Sequence, residues 1–235
     1  MKTAALGLAL ALTAAGAMAK DKAYQAPALN TLTAQEKAAG WKLLFDGHTT
    51  KGWRQFKRKD IRRGWKVVNG ALTLVDPKNA DDIITIRKYA DFDLTFEWRI
   101  AKLGNSGVYY HVIEQGDHGY ESGPEYQLLD NAHGEPPEQQ AASLFALYAP
   151  SKDMTKPVGQ FNQARILVRH GHVEHWLNGM KVVEYDLGSS EFKAKVAASK
   201  FHQWPIYASS PTGYISLQDH EAVVAFRNIK IKPLD

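Results

Sequence analysis

The sequence predicts an all-β protein, a sandwich of two packed antiparallel sheets, and two observations carry this prediction. Short apolar and β-branched runs recur along the chain, and Asp-Gly, Asn-Gly and His-Gly pairs separate many of them. Only two short helices are expected, over 34–39 and 190–201. Many short strands with little helix are typical of a β-sandwich. We therefore predict a single domain over 41–235, preceded by an N-terminal lead and short helix over 20–40.

The two helices are predicted from their N-terminal caps. Thr33 and Glu36 have the spacing of a capping box, in which each side chain accepts a hydrogen bond from the other residue's backbone N–H. Gly40 follows, where helices commonly end. The second helix is expected to start at Ser189 or Ser190, because serine oxygens cap helix N-termini.

The strands are predicted from alternation and from their turns. Successive side chains of a strand point to opposite sides of the sheet. Over 91–100, Leu94 and Phe96 therefore share an apolar face, while Glu97 and Arg99 share the polar one. Further strands are expected over 41–45, 65–68, 71–75, 165–169, 173–177 and 181–185.

The N-terminus has the pattern of a secretory signal peptide. Lys2 is followed by a short Ala/Leu run that ends in the small-residue motif Ala17-Met18-Ala19. We expect residues 1–19 to be cleaved and the mature protein to be periplasmic or secreted, without membrane insertion. The chain contains no cysteine, which excludes disulfides, thiolate catalysis and a lipid anchor on cysteine.

The charge pattern does not indicate a nucleic-acid partner. The net charge is only +4, and the one basic run, over 54–63, is interpreted as a solvated loop or edge strand. The sequence does not indicate an oligomeric state.

The closing segment predicts a polar sheet face. Ile215 and Leu217 share one side of a strand, while Gln218 and His220 follow on the other side. A second strand is expected to run beside it and to place Arg227 on the same polar face. Such a face is either simply solvated or a ligand surface.

Two other segments could complete this surface. Asn105 lies between two glycines at a strand entry, and Glu125 and Gln127 share one face of a strand that starts after Pro124. Burying such polar groups is costly unless they pair or meet a polar ligand. If these segments are adjacent to the closing strands, they define a binding site.

A metal or cofactor site is not predicted. His170, His172 and His175 have spacing that resembles a metal motif, but the first two flank a hairpin turn and are interpreted as part of an exposed hairpin. A divalent cation near the carboxylates is not demanded by any ligand spacing. Phosphate-binding loops, Gly-x-Ser-x-Gly elbows and His-Glu-x-x-His motifs do not occur in the sequence.

A series of short motifs resembles one known family. The motifs are, in order, Leu44–Gly47, Gly52-Trp53, Phe92–Arg99, Gly104–Gly107, Glu125–Asp130, Leu147–Pro150, Gly159–Asn162, His175–Gly179, Leu217–His220 and Phe226–Ile229. In this order they resemble the bacterial 3-keto-disaccharide hydrolase domain, and they span nearly all of the expected mature chain. The resemblance implies a concanavalin A-like jelly roll.

The resemblance also implies a reaction, the cleavage of glycosides whose sugar carries a ketone at C3. Such a ketone acidifies the C2 proton, so the reaction needs a general base and a group that stabilises the enolate oxygen. Glu125 or His220 is the expected base. The substrate-binding residues expected from the resemblance are Asn105, Gln127, Tyr148, Gln218, Arg227, Glu97 and Arg99.

Two other functions remain open from the sequence. One is a non-catalytic carbohydrate-binding module that uses Trp and Tyr side chains as stacking surfaces. The other is a glycosidase acting on unoxidised glycans through two carboxylates roughly 5 to 9 Å apart. Its candidate carboxylates are Glu97, Glu121, Glu125 and Asp130.

Overall fold

The computed structural model describes residues 28–234, and these form two antiparallel sheets packed face to face. The strands are β1 Lys42–Leu43, β2 Trp53–Gln55, β3 Trp65–Val68, β4 Ala71–Leu74, β5 Ile83–Thr85, β6 Phe92–Ile100, β7 Asn105–Val112, β8 Glu125–Leu129, β9 Asn162–Arg169, β10 His172–Leu177, β11 Met180–Asp186, β12 Tyr214–Leu217 and β13 Val224–Pro233. The predicted jelly-roll sandwich is confirmed.

The two sheets differ in size and in the order of their strands. The larger sheet has eight strands in the order β11-β10-β9-β6-β13-β4-β3, with β1 paired to the C-terminal part of β13. The smaller sheet has five strands in the order β2-β5-β12-β7-β8. Because sequence neighbours such as β12 and β13 belong to different sheets, the chain repeatedly crosses the sandwich.

The core lies between the inner faces of the sheets. On β6 the side chains of Leu94, Phe96 and Trp98 are at most 3% exposed, as alternation predicted. Val108 and Tyr126, from the smaller sheet, are fully buried and face them. Burying each large apolar side chain stabilises the fold by about 1.5–3 kcal/mol, so this alternation fixes which face of each strand is left for solvent or ligand.

The first helix matches its prediction and the second is shorter than predicted. Helix α1 spans Ala34–Ala38, with both hydrogen bonds of the capping box present. Helix α2 spans Ser190–Ala198, and a separate 3-10 turn follows over Lys200–Gln203. Ser199 separates them in an extended conformation, and its side chain caps the turn by accepting a hydrogen bond from Phe201 N–H at 3.2 Å. A serine can cap a new helical start as readily as it can continue a helix.

The expected pairing of the two closing strands is wrong. β12 pairs with β5 and β7, whereas β13 pairs with β4 and β6 in the other sheet. Arg227 therefore lies on the outer face of the larger sheet, where its Nε donates a hydrogen bond to Glu97 at 2.7 Å. Alternation gives the direction of each side chain within its own strand, but it does not say which sheet the strand joins.

A buried hydrogen-bond chain ties the two sheets together through His175. Its Nδ1 lies 3.0 Å from the Ala142 carbonyl, so Nδ1 carries the proton and donates it. Its Nε2 then accepts from the Tyr110 hydroxyl at 3.0 Å, and Tyr110 in turn bonds to the Tyr185 hydroxyl. Burial lowers the pKa of His175 to about 4. His175 is thus separated from His170 and His172 of the hairpin, because its side chain is fully buried in the core.

The basic run over 54–63 is largely neutralised by ion pairs. Four of its six basic side chains contact carboxylates: Arg54 with Glu114 at 2.7 Å, Lys57 with Asp117 at 3.1 Å, Arg58 with Asp60 at 3.1 Å and Arg62 with Asp81 at 3.0 Å. These pairs are partly or largely exposed and contribute little stability individually.

The predicted signal peptide, 1–19, lies outside the described residues, and its cleavage and the export of the protein stay predictions. Among residues 28–234, no helix is long and apolar enough to cross a membrane.

His175 should make stability depend on pH. The unfolded chain binds a proton at this imidazole near pH 6.5, whereas the folded protein does so only near pH 4. The unfolded state therefore binds more protons between these values, and the free energy of unfolding should fall by about 3 kcal/mol as the pH drops through this window. Urea unfolding at pH 7 and pH 4 measures the loss.

The variant His175→Gln should lack this part of the acid destabilisation. His202→Gln, which removes an exposed imidazole without an ion-pair partner among the described residues, is the matched control and should keep the wild-type pH dependence. An identical pH dependence in the wild type and His175→Gln would contradict the assignment.

Candidate active site

Two rows of outward-facing residues cross the smaller sheet. In the first row, Ser216 on β12 lies opposite Tyr109 on β7, which lies opposite Glu125 on β8. In the next row, Gly107 lies opposite Gln127, and its carbonyl accepts a hydrogen bond from Gln218 N–H at 2.9 Å. Alternation and register thus bring residues from distant parts of the chain onto one face.

Asp82 extends the second row at its other end. It lies two residues before Ile84, which pairs with Ser216, so the register places it opposite Gln218. The row reads Asp82, Gln218, Gly107, Gln127 across four strands.

These rows line a cavity of about 210 Å³ on the outer face of the smaller sheet. Its lining residues are Asp82, Asn105, Tyr109, His118, Tyr120, Glu125, Gln127, Phe145, Lys200, Gln218, Asp219 and His220. The set combines carboxyl groups, amides, imidazoles, an ammonium group and aromatic rings. That mixture suits a polar ligand with both hydroxyl groups and apolar ring faces.

Glu125 occupies space that only a glycine leaves open. A Cβ atom at position 107 would lie 2.2 Å from Glu125 Oε1 and 2.9 Å from its Cδ. The Glu125 side chain therefore lies directly over the backbone of Gly107. A glycine inside a strand often marks such a close approach.

The carboxyl group of Glu125 is poorly solvated. The residue is only 6% exposed, and its carboxyl makes no hydrogen bond to any described residue. Burial raises its pKa to about 8, while the ammonium group of Lys200 opposes this rise and the carboxylate of Asp82 adds to it. Near neutral pH, Glu125 can therefore both hold and release a proton.

Asp82 is a second carboxyl group with a raised pKa. Its Oδ1 accepts a hydrogen bond from Asp219 N–H at 2.9 Å. Burial raises the pKa of Asp82 to about 7 despite that hydrogen bond, and nearby Asp219 and Asp81 push it in the same direction. Burial also raises the pKa of Asp219.

Lys200 is the positively charged group of the cavity. Its Nζ lies 4.4 Å from the centre of the Phe145 ring and 5.4 Å from that of Phe201, which orients the side chain by cation–π contacts. Burial lowers the pKa of Lys200, and the carboxylate of Glu125 raises it. The separate 3-10 turn after α2 starts at this residue.

The amide groups of the cavity have defined orientations. Gln218 Nε2 donates to the Tyr109 hydroxyl, and Gln218 Oε1 is buried without a donor among the described residues. Gln127 Nε2 donates to the Gln139 carbonyl at 3.2 Å, and its Oε1 accepts from Leu128 N–H. Gln218 Oε1 is thus an acceptor that a ligand hydroxyl could satisfy.

Aromatic rings form one rim of the cavity. His118 and Tyr120 stack with ring centres 5.1 Å apart, and Trp204 meets Tyr120 edge-on at 5.3 Å. Phe145 also lines the cavity. Flat ring faces at a rim can pack against the C–H face of a sugar.

The structure brings together five of the predicted site residues and separates four. Asn105, Glu125, Gln127, Gln218 and His220 line the same cavity. Arg227 and Glu97 pair with each other on the larger sheet, Arg99 lies 4.9 Å from the Phe161 ring, and Tyr148 stacks on Tyr185. Placing these four with the rest was wrong because their strands and loops belong to other surfaces of the sandwich.

Sequence reasoning missed seven lining residues: Asp82, Asp219, Tyr109, His118, Tyr120, Phe145 and Lys200. For two of them the sequence contained a feature that could have indicated the site. Asp82 precedes the apolar run at Ile83, as a strand-end carboxylate, and Asp219 lies between two residues that were assigned to the site. Lys200 carries no such signal, because it was expected inside a helix.

The fold and the cavity define a class of protein, a concanavalin-like jelly roll with a polar pocket containing carboxyl groups on one outer face. The sequence profile of the 3-keto-alpha-glucoside-1,2-lyase-like domain matches residues 40–232. A 3-keto-disaccharide hydrolase of Bacteroides thetaiotaomicron is 31% identical over 252 residues, covering 93% of this chain and 87% of that protein. The chain belongs to the 3-keto-alpha-glucoside-1,2-lyase-like family.

Solved structures agree with this fold. A crystal structure from Parabacteroides distasonis, named provisionally as a glycosyl hydrolase, is 36% identical with a TM-score of 0.81 and covers 88% of this chain and 100% of that one. A second protein of that organism, named in the same way, is 23% identical with a TM-score of 0.65, over 83% of this chain and 99% of the other. The second likeness concerns the fold alone.

The titration of Glu125 can be measured directly. In protein with ¹³C-labelled glutamate carboxyl groups, the NMR signal of Glu125 should titrate with a midpoint at about pH 8. The variant Lys200→Met should move the midpoint to higher pH, because it removes the positive charge that favours the carboxylate. Lys193→Met, at an exposed position of α2, should leave it unchanged. A midpoint near the ordinary value of 4.5 would contradict the burial argument.

Proposed function

We propose that the protein is a glycoside-cleaving enzyme that acts on 3-keto-glycosides, including 3-keto-disaccharides. The single observation that carries the proposal is Glu125, a buried carboxyl group without a hydrogen-bond partner among the described residues, in a polar cavity that also holds Lys200. Membership in the 3-keto-alpha-glucoside-1,2-lyase-like family and the name of the Bacteroides relative support the substrate class.

Glu125 is the proposed base that removes the C2 proton. The C3 ketone makes this proton acidic, because the resulting negative charge is delocalised onto the ketone oxygen. A carboxylate with a raised pKa is a stronger base than an ordinary solvated one, and proton transfer by a well-placed base typically contributes 10²–10⁴-fold to the rate. Once the C1–O bond breaks, the aglycone leaves, and water then adds to the unsaturated sugar.

Lys200 is the proposed stabiliser of the enolate oxygen. A cation in a poorly hydrated cavity stabilises developing negative charge far more than one in water does. The cationic residue expected from the sequence to bind substrate was Arg227, which lies on the other sheet in an ion pair with Glu97. Gln218 and Asn105 are left to hold sugar hydroxyl groups, and His220 lies at the exposed edge of the cavity.

A second candidate function is a glycosidase that acts on unoxidised glycans. It is favoured by one observation, the presence of both Glu125 and Asp82 in the cavity. Such an enzyme uses one carboxyl group as acid and the other as base or nucleophile. The aromatic rim alone would also suit a non-catalytic carbohydrate-binding module.

One experiment separates these functions. The purified protein is incubated with matched native and 3-keto disaccharides, and release of monosaccharide is followed by chromatography. We expect turnover of the keto sugar only. Turnover of the native sugar would support the two-carboxylate glycosidase, and binding without turnover would support the binding module.

The variant Glu125→Gln should lower keto-sugar turnover at least about 100-fold, because the amide cannot accept the C2 proton. Glu184→Gln, at an exposed glutamate on β11 of the larger sheet, is the matched control and should retain wild-type turnover. If Glu125→Gln and His220→Ala both kept full activity, neither residue could be the base.

Gly107→Ala should separate activity from stability. The three atoms nearest the added Cβ all belong to the Glu125 side chain, so we expect the protein to accommodate it by moving that side chain. We expect a loss of turnover of at least about tenfold from a displaced base, with a thermal unfolding midpoint close to that of the wild type. Unchanged turnover would mean that the position of Glu125 over Gly107 is unimportant for catalysis.

A further inference from the structure

The proposed reaction uses one carboxyl group of the cavity, that of Glu125. The cavity also contains a second carboxyl group, that of Asp82, which a hydrogen bond holds in place. Asp82 lies at the end of β5 that faces the cavity, and its Oδ1 accepts the Asp219 N–H at 2.9 Å. Its Oδ2 accepts no hydrogen bond from any described residue. That oxygen lies 3.3 Å from the position that a Cβ at Gly119 would take, and Gly119 lies between the lining residues His118 and Tyr120.

The two carboxyl groups approach the cavity from opposite sides. β5 and β8 are separated by β12 and β7, and strands lie about 4.8 Å apart, so the two strands are about 14 Å apart. The side chain of Glu125 extends over Gly107 and so covers part of this distance. The remaining gap is on the order of 5–10 Å by the same spacing, about the width of a pyranose ring.

We propose that Asp82 is the general acid of the reaction, which protonates the departing glycosidic oxygen and later activates the water that adds to C1. This inference rests on the proposed function, because it assigns the second proton of that same reaction. The motifs that carry the family resemblance do not include Asp82.

The protons and electrons balance over the two halves of the reaction. In the first half, Glu125 takes the C2 proton and the C–H electron pair forms the enolate. The pair then returns to form the C1=C2 bond, the C1–O bond breaks, and the leaving oxygen takes the proton of Asp82. The products are the released sugar, whose former glycosidic oxygen is now a hydroxyl group, and an unsaturated 3-keto sugar.

In the second half, the ionised Asp82 accepts a proton from water while the water oxygen bonds to C1. The C1=C2 electron pair moves toward C2, which takes the proton back from Glu125. Both carboxyl groups return to their starting states, and the net reaction consumes one water molecule. No oxidant, reductant or other co-reactant is needed.

The surroundings of Asp82 suit a group that gives up and regains a proton near neutrality. Burial raises its pKa to about 7, and the nearby carboxyl groups of Asp219 and Asp81 raise it further. A catalytic acid is most effective when its pKa lies near the working pH. The reaction needs Asp82 protonated while Glu125 is ionised, and because the pKa of Asp82, about 7, lies below that of Glu125, about 8, this is the less populated of the two singly protonated forms near neutral pH. The Asp219 N–H holds one oxygen in place, and the other has no hydrogen-bond partner among the described residues.

The test compares two leaving groups in the variant Asp82→Asn, which keeps the shape of the side chain. With a 3-keto-disaccharide the leaving group is a sugar alkoxide, which needs a proton, and turnover should fall at least about 100-fold. With a nitrophenyl 3-keto-glucoside the leaving group departs as a stable anion, and turnover should stay within about fivefold of the wild type, by the same reasoning.

A second readout isolates the first proton transfer. A 1,5-anhydro 3-keto sugar has no aglycone at C1, so the reaction stops at proton transfer, and in D₂O NMR detects exchange of the C2 proton that Glu125 removes. Asp82→Asn should exchange at the wild-type rate, whereas Glu125→Gln should not exchange. Asp60→Asn, at an exposed carboxylate that pairs with Arg58 outside the cavity, is the matched control and should behave as the wild type in all three assays.

The outcomes distinguish the two proposals. If the wild type neither cleaves nor exchanges any 3-keto sugar, the proposed function fails. If the wild type is active but Asp82→Asn retains disaccharide turnover, the role of Asp82 is overturned while the proposed function stands. The role is likewise overturned if Asp82→Asn lowers disaccharide turnover, nitrophenyl-glucoside turnover and C2 exchange to the same extent. Should Asp82→Asn not fold, Asp82→Ala with added formate is used, and failure of formate to restore disaccharide turnover also overturns it.

Discussion

The site depends on the packing of the smaller sheet against the larger one. Val108, Tyr126 and Leu217 fill the core from β7, β8 and β12, so their sequence neighbours must face outward. Gln218 and Gly107 thus meet on the outer face, although more than a hundred residues separate them. A slip of one residue in any of these strands would move the polar row into the core and is strongly disfavoured.

The same packing explains the chemistry of the cavity. A carboxylate on an open sheet face would be solvated and would titrate as in a peptide, whereas Glu125 lies under neighbouring chain segments and is nearly inaccessible. Desolvation disfavours its charged form, and Asp82 responds in the same way. Lys200 supplies one opposing charge. Groups that exchange protons near neutrality are therefore a consequence of burial at fixed positions on rigid strands.

Much of the local structure could be predicted because it depends on neighbouring residues. The capping box at Thr33, the alternation over 91–100 and the hairpin turns depend on contacts within a few positions. The same reasoning identified Glu125, Gln127 and Gln218 as outward-facing residues. It failed for Arg227, because a strand's own alternation is identical whichever sheet it joins, and for Lys200, because the break at Ser199 depends on local capping that competes with helix continuation.

The sequence by itself determined the class of fold, the direction of each strand's side chains and a family resemblance that the comparisons confirmed. Only the tertiary structure decided which of these side chains meet. It placed β12 and β13 in different sheets, removed Arg227 from the cavity, and brought in Asp82 and Lys200. The physical reason is that residue type and spacing set local geometry, whereas proximity and burial are set by strand order and by the crossings between the sheets.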